Sequence, residues 1–178
     1  QGYVQIFIPS PIGFIPSESL YPIGIGPRKV EVADVSGDSR LDILVSSSDV
    51  LDVLVQQSDG NFILNVINDP KKESWEYPNS VASADFNGDG LNDVAVQVGN
   101  RPSSVIVYYQ DALGVLDPGI DLPWPIFPYT MPITGNSMIA GDITGDDRTD
   151  LMVMTSYNTP YANIVVYEQL PAGGFAVP

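Results

Sequence analysis

The segment DFNGDGLND, residues 85 to 93, places Asp85, Asn87, Asp89 and Asp93 around two glycines and runs directly into the apolar stretch VAVQV. Three carboxylates held this close repel one another unless a cation lies among them. The spacing recurs twice, as Asp34, Ser36, Asp38 and Asp42, and as Asp142, Thr144, Asp146 and Asp150. Counted from the first Asp, these are positions 1, 3, 5 and 9. Position 7 is Arg40, Leu91 or Arg148, which offers a backbone carbonyl in place of an anionic side chain. A shell of carboxylate, amide or hydroxyl, and carbonyl oxygens suits Ca2+, which accepts six to eight oxygens in flexible geometry, better than the stiffer octahedron of Mg2+. The spacing therefore predicts three Ca2+ ions, one per loop.

Plain turns and EF-hands compete with this reading. Asp, Asn and Gly favour turns for their own reasons, but three copies in one register favour a shared ligand. An EF-hand loop begins with the same alternation, yet it needs a bidentate Glu at position 12 and flanking helices. Here position 12 is Val45, Val96 or Val153, and strand-like sequence flanks each loop. Gly37, Gly88 and Gly145 at position 4 let the chain curl, and Gly90 makes the middle loop the most complete where the others carry Ser39 and Asp147. The middle loop is expected to bind most tightly and the first least.

The rest of the composition narrows the chemistry. Neither Cys nor His occurs, so thiolate and imidazole ligation are excluded and the usual general base is missing. With the clustered Asp residues assigned to metal, and Glu18, Glu73, Glu76 and Glu168 reading as solvated loop or edge residues, the chain is not expected to be an enzyme. Lys and Arg number 7 against 22 Asp and Glu, a net charge of −15 in 178 residues, which disfavours nucleic acid as a partner. No apolar run reaches the roughly 18 residues of a membrane helix, so no membrane span is expected. Gln1 in place of an initiator Met suggests processing after export, and an oxygen-ligated Ca2+ site suits an extracellular or cell-surface location.

The elements that must position the loops repeat with them. KVEVADVSGDSRLDILV, SVASADFNGDGLNDVAV and SMIAGDITGDDRTDLMV align from residues 29, 80 and 137, a period of roughly 50 residues that signals a repeat array. Each is followed by an apolar run, a turn and a further apolar position: LDVLVQQSDGNFIL, SVIVYYQDALGVLD and NIVVYEQLPAGGFAV. A fourth copy of this second feature, YVQIFIPSPIGFIP, opens the chain; aligning Gly13, Asn61, Gly114 and Gly174 places the turns. The unit reads as strand, acidic loop, strand, connection, strand, turn, strand. Four short strands per unit without helical periodicity predict an all-β fold, a β-propeller built of four-stranded antiparallel blades. A β-sandwich is the alternative. The expected organisation is a single domain over 1–178, with an orphan outer hairpin at 1–16 and repeats at approximately 17–67, 68–120 and 121–178.

The loops resemble the calcium-binding FG-GAP or VCBS repeats, whose pattern is close to D-x-[DN]-G-D-G-x-x-D before an aliphatic strand, as in integrin-α-type propeller blades. The middle loop matches fully; the others depart at positions 3 and 6. The resemblance implies calcium acting as a structural staple in a hairpin loop. It leaves function wide, from adhesion proteins through lectin-like sugar binders to appendages of secreted enzymes. Three blades and a half-blade cannot close a propeller of ordinary size. The chain is thus expected to be a fragment, to close a ring with copies of itself as a homo-oligomer, or to polymerise head to tail as a filament.

Two segments break the strand pattern: PKKESWEYPN with Trp75 and Tyr77, and DLPWPIFPYTMP with Trp124, Phe127 and Tyr129. Aromatics in stiff loops can stack on sugars or anchor a protein partner, though they equally serve as core covers. SYNTPYAN adds Tyr157 and Tyr161. The leading expectation is a structural or adhesive module that meets a protein partner through its loops. A calcium-dependent carbohydrate-binding module and a non-catalytic appendage of a secreted enzyme are the alternatives.

Overall fold

The computed structural model describes residues 1–67, 77–99, 104–123, 135–155 and 164–178. Trp75, Trp124, Phe127, Tyr129, Tyr157 and Tyr161 lie outside them. The described residues form thirteen strands and no helix. β1 (Gly2–Ser10) and β2 (Gly13–Ile23) make a hairpin. β3 (Lys29–Ala33), β4 (Asp42–Ser46), β5 (Leu51–Gln56) and β6 (Phe62–Ile67) form the first sheet, in that order. β7 (Tyr77–Ala84), β8 (Asp93–Gly99), β9 (Ser104–Tyr108) and β10 (Ile120–Leu122) form the second. β11 (Gly135–Gly141), β12 (Asp150–Thr155) and β13 (Ile164–Tyr167) form the third. Every pairing is antiparallel, and each acidic loop joins the first strand of a sheet to its second.

Strand alternation sorts the side chains between neighbouring sheets. Val81 and Ala82 are adjacent on β7, yet Val81 joins Leu44, Leu51 and Val53 of the first sheet, whereas Ala82 joins Met138, Leu151 and Tyr167 of the third. β8 is buried along its whole length for the same reason: Val94 and Val96 face the first sheet and Ala95 faces the third. A strand covered on both faces reads as a nearly unbroken apolar run, and VAVQV is such a run. Each aliphatic side chain placed this way stabilises the stack by about 1.5–3 kcal/mol. The first strands β3, β7 and β11 neighbour one another in turn, so the acidic loops gather along one rim.

Four features differ from the sequence reading. The N-terminal hairpin runs past residue 16 to Ile23, because β2 keeps pairing with β1 through a bulge between Gln5 and Phe7. It packs on the first sheet through Val4, Tyr21 and Ile23 against Val45 and Leu54. Among the described residues the third sheet holds three strands, followed by an isolated bridge between Gln169 and Phe175 that matches the Gln110–Leu116 bridge of the second sheet. Tyr77 opens a strand rather than lying in a loop. The outer turns align on Gly60, Gly114 and Gly173, all left-handed at φ 83°, 75° and 82°; Asn61 and Gly174 stand one place further along. In each turn the glycine N–H closes onto the carbonyl three residues earlier, of Gln57, Asp111 or Leu170, and only this register allows it.

Candidate metal centres

The loops have one construction in three copies. The position-1 carboxylate folds back over its own loop and accepts backbone N–H groups. Asp85 takes Gly88 N on Oδ1 at 2.6 Å and Gly90 N on Oδ2 at 2.8 Å. Asp34 takes Gly37 N at 2.8 Å and Ser39 N at 2.7 Å. Asp142 takes Gly145 N at 2.6 Å and Asp147 N at 3.0 Å. The Asp147 N–H, with those of Gly145 and Asp146, holds the Asp142 carboxyl below the usual carboxylate range despite some desolvation. Closing the loop this way forces position 6 into the left-handed region, where Gly90 sits at φ 87° without strain while Ser39 and Asp147 are held at 67° and 63°.

The position-9 aspartates are fully buried and act as staples. Asp42 accepts Val35 N at 3.0 Å and Gln56 N at 2.9 Å, so one carboxylate ties the acidic loop to the end of β5. Asp93 does the same with Phe86 N and Gln110 N, both at 2.9 Å, and Asp150 with Ile143 N at 3.0 Å and Gln169 N at 2.9 Å. Burial pushes the Asp93 carboxyl up to about 6, with the charges of Asp89 and Asp85 adding to it against the two N–H bonds. Burial also acts to raise Asp150, but the N–H groups of Gln169, Ile143 and Thr144 outweigh it and hold that carboxyl below its ordinary value.

Positions 5 and 7 divide the loops into two kinds. The Arg40 guanidinium pairs with Asp38 and donates from Nε to the Gln56 carbonyl at 3.0 Å. Arg148 pairs with Asp146 and donates to the Gln169 carbonyl at 2.9 Å. In the middle loop position 7 is Leu91, and among the described residues Asp89 Oδ2 accepts only the Asn87 amide, at 2.9 Å. Two loops thus carry their own cation and the third does not. Position 3 contributes Ser36, Asn87 and Thr144; the Ser36 hydroxyl is buried without a hydrogen-bond partner. Among the described residues no three acidic side chains already converge as a cage. The fit to a divalent cation is one of donor type: hard oxygens only, crowded and anionic, with lone pairs to spare on the carboxylates.

Neighbouring loops are tied to one another. Asn92 Nδ2 donates to the Asp34 carbonyl at 3.1 Å, and Gln169 Nε2 to the Asp85 carbonyl at 3.3 Å, while Gln169 Oε1 receives Thr149 N at 2.8 Å. Gln110 holds the place of Gln169 one sheet earlier, but its buried amide has no partner among the described residues, and the Asp34 carbonyl is met by Asn92 instead. An open polar cleft of about 280 Å³ separates the middle and last loops, lined in part by Asp85, Asn87, Asp147, Arg148 and Gln169. The recurrent glutamines are visible in the sequence as VQQ, YYQ and YEQ; their role emerges only once the third strand of each sheet is placed. The guanidinium ties have no such signal beyond Arg at position 7.

Tandem antiparallel sheets of three or four strands among the described residues, each carrying an acidic loop between its first two strands, define a propeller-like repeat module. The model of the FG-GAP-like repeat family matches residues 34–96 and again 85–153, each match running from one acidic loop past the next. The chain belongs to the FG-GAP-like repeat family. Comparison with curated proteins returns no match.

Proposed function

We propose that the chain is a calcium-stabilised, non-catalytic β-propeller module with a structural or adhesive role outside the cell or at its surface, where FG-GAP repeats are commonly found. One observation carries the calcium reading: the middle loop gathers Asp85, Asp89 and Asp93 with no cationic side chain, where its two sister loops each supply an arginine. Asp85, Asn87, Asp89, Asp93 and the Leu91 carbonyl would hold the ion there. Asp34, Ser36, Asp38, Asp42 and the Arg40 carbonyl, and Asp142, Thr144, Asp146, Asp150 and the Arg148 carbonyl, are the corresponding sets. A bound Ca2+ supplies charge neutralisation; the chain supplies the backbone N–H cradle under position 1 and the buried staple at position 9. Calorimetric titration of the chelated protein with Ca2+ tests this, with thermal unfolding in parallel. Expected is uptake that raises the melting temperature and whose tightest phase disappears in Asp89→Ala; no heat of binding in the unmutated chain ends the proposal.

A carbohydrate-binding role is the second reading, favoured by the polar cleft between the middle and last loops. Glycan-array binding that is lost on Arg148→Ala, Trp75→Ala or Trp124→Ala supports it; an array without signal removes it.

A further inference from the structure

The second sheet sends one side chain into the joint it shares with the first acidic loop. Gln110 lies just past β9, and its backbone N–H is already spent on Asp93. Its side chain is 2% exposed, and neither its oxygen nor its nitrogen meets a hydrogen-bond partner among the described residues. The oxygen stands beside the first loop, 3.6 Å from where a Cβ on Gly37 would lie, and Gly114 of the following turn presses on the Ser36 carbonyl. A buried amide with both ends unmet is costly, which points to a partner that arrives in another state of the site.

Ser36 carries the second unmet group at this joint, a buried hydroxyl without a partner. Its sister residues are committed. Asn87 donates to Asp89 Oδ2 at 2.9 Å, and the Thr144 hydroxyl bonds the Asp150 carboxylate, so each spends its hydrogen on a carboxylate of its own loop. Gln169, in the place of Gln110 one sheet on, is engaged at both ends, by the Asp85 carbonyl and by Thr149 N. Among the described residues only the joint between the first loop and the second sheet holds an idle hydroxyl and an idle amide together.

A hydroxyl that ligates a cation gives it a lone pair, and its hydrogen then has to point away from the ion toward an acceptor. We propose that Gln110 is that acceptor: a positioning residue of the first calcium site, lent by the neighbouring sheet, whose Oε1 receives the Ser36 hydroxyl when Ser36 Oγ turns its lone pair to the cation. The inference rests on the calcium reading of the loops. Gln110 fixes the rotation of a side chain that its own loop leaves unfixed, and occupation of the loop fastens it to the second sheet. The middle site has no such dependence, because Asn87 is oriented by Asp89.

The test titrates Ca2+ into the isotope-labelled chain followed by amide NMR, where the Gly37 amide reports the first loop and the Gly88 amide the middle one. Gln110→Leu should weaken binding read at Gly37 by about tenfold, the scale on which a metal ligand loses its supporting partner, and leave binding read at Gly88 unchanged. Ser36→Ala should weaken the first site at least as much, and adding Gln110→Leu to it should cost nothing further, since the two substitutions remove one interaction. In chelator the glutamines separate: Gln110→Leu deletes an unmet amide and should raise the melting temperature, whereas Gln169→Leu breaks two hydrogen bonds and should lower it. A Gly37 amide that does not respond to Ca2+ ends the calcium reading of that loop and this proposal with it. Unchanged affinity at Gly37 in Gln110→Leu, or a further loss in the double variant, overturns the role of Gln110 alone. So does a fall in melting temperature in chelator equal to that of Gln169→Leu, because the amide would then have its partner without the ion.

Discussion

Gly114, in the outer turn of the second sheet, lies directly against the carbonyl of Ser36 in the acidic loop of the first, so closely that any Cβ there would collide with backbone. Gly60 holds the same turn position one sheet earlier, with nearly the same φ, and faces open space. The pair separates two effects that usually come together. Gly60→Ala should cost about 1–2 kcal/mol for left-handed strain alone. Gly114→Ala should cost at least about 2 kcal/mol more, because Ser36 or the whole turn must move. Urea unfolding of both variants decides it, and equal losses would mean that the loop and turn part freely.

Asp42 should matter to folding even without metal. Its two oxygens serve Val35 N and Gln56 N in a fully buried setting. Asp42→Ala leaves both N–H groups without a partner, for a loss of about 2–5 kcal/mol in chelator. Hydrogen exchange should show the Val35 and Gln56 amides losing protection first. If stability in chelator were unchanged, the residue would be a ligand and nothing more.

The guanidinium ties should set the order of calcium affinities. Arg148→Leu removes the cation that competes for Asp146 and should tighten Ca2+ at the last loop by about threefold to tenfold, whereas Leu91→Arg should weaken the middle loop by a similar factor. The pair is partly exposed, which keeps the effect modest. Calorimetry on the two variants would refute this if both affinities moved in the same direction.

Ser39 is held at φ 67° where the middle loop has Gly90. Ser39→Gly should therefore stabilise the first loop by up to about 1 kcal/mol, the relief of strain exceeding the added freedom of the unfolded chain. Chemical denaturation reads the change directly; a loss of stability would show that the Ser39 side chain has an unrecognised task.

Much of this architecture is legible in the residues. The alternation in KVEVA, the apolar run VAVQV and the repeated Asp spacing predict strands and loops where they stand, because all three depend on local geometry. Features that depend on where a distant strand arrives are not legible. The sequence presents Arg40 as a carbonyl donor, yet its side chain reaches Gln56 across the sheet. Spacing gives position 9 the same rank as position 1, and only the fold reveals that Asp42, Asp93 and Asp150 face inward to backbone. Tyr77 and the turn positions of Gly60 and Gly173 escape the sequence reading for a simpler reason: strand ends and turn register are set by pairing, which composition does not fix. Trp75 and Trp124 lie outside the described residues.

The hydrogen bonds between loops run one step at a time, from Asn92 back to Asp34 and from Gln169 back to Asp85. Along that rim the sheets are coupled like links of a chain, but beneath it each neighbouring pair shares an apolar cluster, and Lys29 Nζ donates to the Met138 carbonyl, tying the first sheet to the third directly. A load applied between the two ends is therefore spread over several joints, and loosening one loop contact would lower the breaking force only in part.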